Sequence, residues 1–290
     1  MSDPALELDV AGWVERVKAD PVAYAQRQAI EVTLNAIAMT ADLKQKLFLK
    51  GGILMGLAYD SPRQTGDIDL TTAFEVGPDI DTKIEALMNA ALPRAAAKLG
   101  YVDLILKVHS VARQPKNIFE TASFPALKMK VAFAKRGTAQ EKALEEGKVP
   151  AKIDIDISFN EPLSLMQVME LTGGAELLAY SLSELMAEKF RAMLQQKLRN
   201  RNRRQDVYDL NRLIEGNEFS DRVRAAILEA FIEKCRTREI EPDARSLDDP
   251  EIRTRSETDW DTMELEIGAL PDFEDCYERV SAFYRALPWV

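Results

Sequence analysis

The 290-residue chain has a single histidine, His109, and only two cysteines, Cys235 and Cys276. Neither cysteine stands in a CxxC or metal-ligand spacing, so two reduced thiols in a cytosolic protein are expected, with no disulfide framework. One histidine with no partner histidine or Cys–His pattern sets aside zinc sites and Ser-His-Asp triads. No GxxxxGK[ST] occurs, which removes the P-loop. Nowhere do about 20 uncharged apolar residues run together, as a membrane span would require. The opening MSDPALELDV has neither a basic region nor an apolar run. A cytoplasmic, soluble protein that does not enter membranes is therefore expected. No internal repeat and no low-complexity tract is visible.

Apolar residues make up 46% of the chain, enough for a real core. The formal net charge of −10 argues against a protein that coats nucleic acid generally. That charge is uneven. Residues 186–212 hold eight basic side chains against three acids, whereas residues 241–290 hold fourteen acids against five bases. A local basic patch in an acidic protein can still hold polyphosphate or an RNA backbone.

The densest segment is 48–70, FLKGGILMGLAYDSPRQTGDIDL. Its last residues put Asp67 and Asp69 two apart. In a strand over 66–70 both carboxylates would project from one face. Two like charges that close repel unless a cation or proton neutralises them. Paired carboxylates on a strand suit Mg²⁺, which takes one or two carboxylates plus phosphate oxygens. A second strand, KIDIDISF over 152–159, places Asp154 and Asp156 on one face. If the two strands are neighbours, one of the second pair can join the first, and three carboxylates can hold two Mg²⁺ ions. Strand ends facing solvent are the plain alternative for all four acids.

Gly51 and Gly52 precede an apolar stretch read as a helix, so their backbone N–H groups can meet phosphate at its N-terminus. Lys50 and Arg63 flank this segment as possible phosphate contacts, or as ordinary surface charges. Thr65 can orient the acidic loop through its hydroxyl. Further on, Asp206 and Asp209 lie three apart on one helix face, with Lys189 in the helix before. A lysine held near two carboxylates stays charged and can reach a triphosphate; an interhelix salt-bridge network is the alternative.

Periodicity gives helices over 22–42, 53–59, 80–99, 183–198 (with Ser183 as N-cap), 206–215, 220–234 and 273–287. Strands are expected over 68–72, 101–108, 126–134 and 152–159. Residues 60–66 and 137–147 read as loop, the latter with room for a short helix. The chain thus divides into a helical segment (1–45), an α/β core (46–164) and a helical C-terminal domain (165–290).

The block LKGG-x-L…R-x-T-x-D-I-D-L, then KIDIDIS, then EKF-x-A…RR-Q-D-V-Y-D-L resembles the nucleotidyltransferase AbiEii/AbiGii toxin family. That family sits within the DNA polymerase β-like nucleotidyltransferase superfamily. The resemblance spans about residues 46–215 in the right order. It implies an α+β fold: a mixed sheet carrying the acidic site, with a helical C-terminal domain closing over it. It implies that Gly51 and Gly52 bind nucleotide phosphate, that Asp67 and Asp69 bind metal, and that Asp156 is the third acid. Lys189 and Asp209 would serve nucleotide binding or catalysis, with Arg204 and Asp206 beside them. Two positions depart from the family pattern: Thr65-Gly66 stands where Ser or Thr-Arg usually precedes the first acid, and Gln205 separates Arg204 from Asp206. The implied activity is Mg²⁺-dependent transfer of a nucleoside monophosphate from an NTP to an acceptor hydroxyl, with Asp156 activating that hydroxyl directly or through a bound metal. The implied setting is a toxin–antitoxin or phage-defence system with a cognate antitoxin. The acceptor would be tRNA or another RNA, and the basic segment 197–204 suits it by charge. A transferase acting on a small cationic molecule such as an aminoglycoside, and a non-catalytic NTP-binding scaffold, remain the rival readings.

Overall fold

A computed structural model describes residues 5–63 and 65–289. Gln64, inside the loop expected over 60–66, and the first four residues of the N-terminal stretch lie outside the described residues. The chain divides into two compact units. The first takes the chain up to Ala58, Thr65–Glu161 and Gln167–Ala179; the second takes residues 59–63, Pro162–Met166 and the chain from Tyr180.

The first unit is a mixed eight-stranded sheet with helices. Its strands are β1 (Leu6–Leu8), β2 (Leu47–Lys50), β3 (Ile68–Thr72), β4 (Leu104–Gln114), β5 (Ala126–Lys135), β6 (Lys152–Ser158), β7 (Met166–Leu171) and β8 (Ala175–Tyr180). Its helices are α1 (Val10–Glu15), α2 (Pro21–Ala38), α3 (Ala41–Lys46), α4 (Gly51–Ala58), α5 (Ile80–Lys98) and α6 (Ala139–Glu145). Spatial order is β1-β7-β8-β2-β3-β6-β5-β4. The pair β3–β6 is parallel and sets Asp69 level with Asp156. The two acidic strands are therefore neighbours.

Alternation explains the layering. On β6, Ile153, Ile155 and Ile157 are at most 1% exposed, while the intervening aspartates are half-buried. Leu127, Met129 and Val131 of β5 are buried likewise. Each fully buried aliphatic side chain contributes about 1.5–3 kcal/mol, so a one-residue slip, which would turn the isoleucines out, is strongly disfavoured. Helix α2 packs on β6 and on α5, and α5 packs on β4.

Several boundaries differ from the sequence reading. The helix expected over 22–42 is two, because the chain leaves the helix at Met39 and Thr40; Asp20 caps α2 through Val22 N–H and Ala23 N–H. The strand expected over 101–108 begins at Leu104 and runs on to Gln114. The strand expected over 66–70 begins at Ile68, so Asp67 lies one residue before it. The sheet also continues past residue 165 with β7 and β8, and takes in β1, which pairs with β7 in parallel. These strands are short, and β1 and β2 are flanked by helical sequence that hides them.

The second unit is mainly helical: α7 (Leu182–Arg199), α8 (Arg204–Gly216), α9 (Asp221–Arg236), α10 (Pro250–Glu257), α11 (Glu264–Ile267) and α12 (Phe273–Arg285). The cap of α7 is Ser181, whose hydroxyl accepts from Glu184 N–H, and not Ser183, which lies inside the first turn. Helix α7 packs on α9, and α8 on α12. Phe190, Phe231 and Tyr284 form its aromatic centre, with ring centroids 5.3–6.2 Å apart. Lys234 meets Glu184 at 2.5 Å with both side chains almost wholly buried.

Candidate active site

In the sheet unit the acids stand on one face. Asp69 is the second residue of β3, and Asp156 stands beside it on β6. Asp67 is exposed just ahead of β3, and Asp154 precedes Asp156 by two on the same face. Burial pushes the Asp69 carboxyl above its ordinary range; Lys50 opposes the shift, and Asp156 and Asp67 add to it. Asp67, though exposed by area, has a carboxyl that is partly desolvated and so is raised as well, reinforced by Asp154 and Asp156 and opposed by Lys128 and Lys130. Four carboxylates therefore share one patch of the sheet and feel one another's charge.

The two glycines are fixed by close approach. Gly51 opens α4 at φ +70, and a Cβ there would come within 2.1 Å of Asp69 Oδ2. A Cβ on Gly52 would lie 2.8 Å from Thr65 Oγ1. Only glycine lets the start of α4 sit against the carboxylate and the threonine. Thr65 thus lies against Gly52 at the start of α4.

Lys50 is buried, and its ammonium donates to Glu161 at 2.6 Å and to Ser158 at 3.4 Å. Thr71 also donates to Glu161, at 3.0 Å. The structure places Lys50 in this network opposite Asp69 on β2, away from the surface position the sequence allowed. Glu161 was visible in the sequence only as the residue that ends a strand. Lys128 and Lys130 were missed too, although LKMK has the same alternation as the facing KIDID; they pair across β5–β6 with Asp156 and Asp154.

The helical unit gathers the other expected residues. Lys189 Nζ lies 2.6 Å from Asp209 Oδ2 and 3.2 Å from Asp206 Oδ1. Burial alone would lower the Lys189 ammonium, but Asp209 and Asp206 outweigh it and hold it above its usual range. Arg63 donates to Asp209 Oδ2 at 2.8 Å. Arg203 approaches Asp206 at 3.6 Å. The buried Oδ1 of Asp209 and the Nε atoms of Arg63 and Arg204 have no hydrogen-bond partner among the described residues. Such orphaned polar atoms are expensive in a finished core and call for a partner such as a water, an ion or a ligand. The basic run is less available than its charge implied: Lys189 and Arg191 are buried, and Lys197 is paired with Asp249 and Glu251.

Three carboxylates of β3 and β6 offer the hard oxygen donors a divalent cation takes. Among the described residues no three ligating side chains are drawn together around one point; Asp156 is turned to Lys128. The donor chemistry and the crowding of negative charge around Asp69 nevertheless fit such an ion.

The mixed α/β fold is shared with solved nucleotidyltransferase structures. MenT4, a nucleotidyltransferase toxin from Mycobacterium tuberculosis H37Rv, is similar at 15% identity and TM-score 0.56, over 97% of this chain and 90% of that one. A nucleotidyltransferase from H. pylori is similar at 11% identity and TM-score 0.50, over 90% and 92%. No curated protein matches the chain. The model of the nucleotidyl transferase AbiEii toxin family, of type IV toxin–antitoxin systems, matches residues 33–279. The chain belongs to that family and is a nucleotidyltransferase toxin, as its motifs implied.

Proposed function

We propose that the protein transfers a nucleoside monophosphate from an NTP to a hydroxyl of tRNA, with Mg²⁺ held by Asp67, Asp69 and Asp156. The observation that carries this reading is the seating of Asp69 level with Asp156 and hard against Gly51. Divalent cations bound there would offset the charge that builds on the phosphates during transfer.

The residues take the remaining roles. The N–H groups at Gly51 and Gly52 cradle phosphate at the start of α4. Asp156 accepts the proton of the acceptor hydroxyl; the freed oxygen bonds to the α-phosphorus, and pyrophosphate leaves. In the helical unit, Lys189 and Asp209 serve nucleotide binding or catalysis, supported by the burial of Lys189 and the orphaned Oδ1 of Asp209. Arg63, Arg204 and Asp206 belong with them, and a cognate antitoxin restrains the activity in the cell.

The test is incubation with total tRNA, Mg²⁺ and each α-labelled NTP in turn, beside Asp67→Ala/Asp69→Ala. Label should reach tRNA with the intact protein, and the double variant should lose at least about a thousandfold, the scale on which removing transition-state charge stabilisation acts. Transfer to an aminoglycoside instead would favour the small-molecule reading. Nucleotide binding without transfer to any acceptor would leave a scaffold.

A further inference from the structure

The sheet face that carries the acids extends beyond them. Register puts Lys128 opposite Asp156 and Lys130 opposite Asp154 across β5–β6. The next strand sets Ala112 opposite Lys128 and Ser110 opposite Lys130. Ser110, Ala112 and Gln114 are exposed on β4. The opposite face of β5, by contrast, is sealed by Leu127, Met129 and Val131. At its far end the lysine face is closed where Leu144 of α6 and Val149 cover Ala132 and Ala134. What remains is an open strip with uncharged outer side chains, two lysines along its middle and the acids along its inner edge.

Both lysine–aspartate pairs are partly open to solvent, at 41% and 35% for Lys128 and Asp156, and 45% and 48% for Lys130 and Asp154. Exposed pairs contribute little and exchange partners readily. Four carboxylates here face two ammonium groups, so the patch is negative as it stands. One divalent cation on the carboxylates brings it to balance, and a second makes it positive. A cation bound by Asp156 would compete with Lys128 for that carboxylate.

We propose that Lys128 and Lys130 are counterions that a divalent metal displaces, and that they then hold the phosphodiester backbone of the RNA acceptor along the strip over β4 and β5. This rests on the reading of the acceptor as RNA. It couples acceptor binding to metal loading: the strip repels a polyanion until the acids are filled.

The test compares the wild type with Lys128→Ala/Lys130→Ala and Lys128→Arg/Lys130→Arg. Mn²⁺ alone is titrated first, followed by binding of labelled total tRNA in Mg²⁺ across a salt series. Removing two competing cations should tighten Mn²⁺ severalfold. In the same Ala variant, tRNA binding should weaken about tenfold and the slope of log K against log salt should fall by about two, one for each lost phosphate contact. The Arg variant should restore both tRNA values, which a role in sheet packing would not require. Equal tRNA affinity and slope in wild type and Ala variant would overturn the proposal while leaving RNA as the acceptor. A wild type that binds no tRNA with metal present would overturn it together with the RNA reading.

Discussion

Single residues show where burial and charge conflict. Glu31 of α2 is 1% exposed and accepts a 2.6 Å hydrogen bond from the Tyr101 hydroxyl. Burial raises its carboxyl above the ordinary value; the tyrosine works against that, and Asp9 adds to it. The folded state therefore holds the proton more tightly than the unfolded one, and stability falls as pH rises from the ordinary carboxylate range through the raised folded value. Above that raised value the cost is fully present. Glu31→Gln keeps an acceptor for Tyr101 and removes the charge. Its melting temperature at pH 7 should exceed that of the wild type, by about 2–4 °C for each kcal/mol recovered, and the gain should shrink toward pH 4. A gain of equal size at both pH values would show that ionisation is not the cause. The candidate site was largely readable at this scale, because an aspartate at every second position is a pattern. The exceptions are Lys128 and Lys130, together with Glu161 as the partner of Lys50, because the pairing of strands sets these contacts and neighbours in the chain do not.

At the scale of elements, long amphipathic segments were legible and short ones were not. Helix α5 and strand β6 carry enough periods to show their faces. Strands β1 and β2, of three and four residues, show at most two full alternations each. Caps are subtler still, since Ser181 and Ser183 both offer a hydroxyl before an apolar run. The structure chooses Ser181, whose backbone is extended (φ −65, ψ 168) and whose Oγ reaches Glu184 N–H at 3.3 Å. An N-cap needs that geometry, whereas Ser183 is already helical. Ser181→Ala should therefore cost about 1 kcal/mol by denaturant unfolding, and Ser183→Ala clearly less. The reverse order would move the start of α7 by two residues.

For the molecule as a whole, the sheet is closed by strands drawn from distant parts of the chain. Strand β2 has β3 on one side and β8, some 130 residues later in sequence, on the other. Strand β1 has its partner in β7. No local signal announces such pairings, which is why a change of pattern near residue 165 reads from the sequence as the end of the sheet. The physical consequence is that a chain stopped at residue 165 leaves one backbone edge of β2 without a partner and strands β1. It also loses Met169, Leu171, Leu177 and Ala179, all buried. An open, apolar edge strand invites pairing with other chains. Fragment 1–165 should therefore aggregate or bind a hydrophobic dye, and fragment 1–180, which restores β7 and β8, should be markedly more soluble and show the sharper thermal transition. If 1–165 unfolds as cooperatively as 1–180, the two late strands are an ornament of the sheet and not part of its closure, and the acidic face on β3 and β6 stands without them.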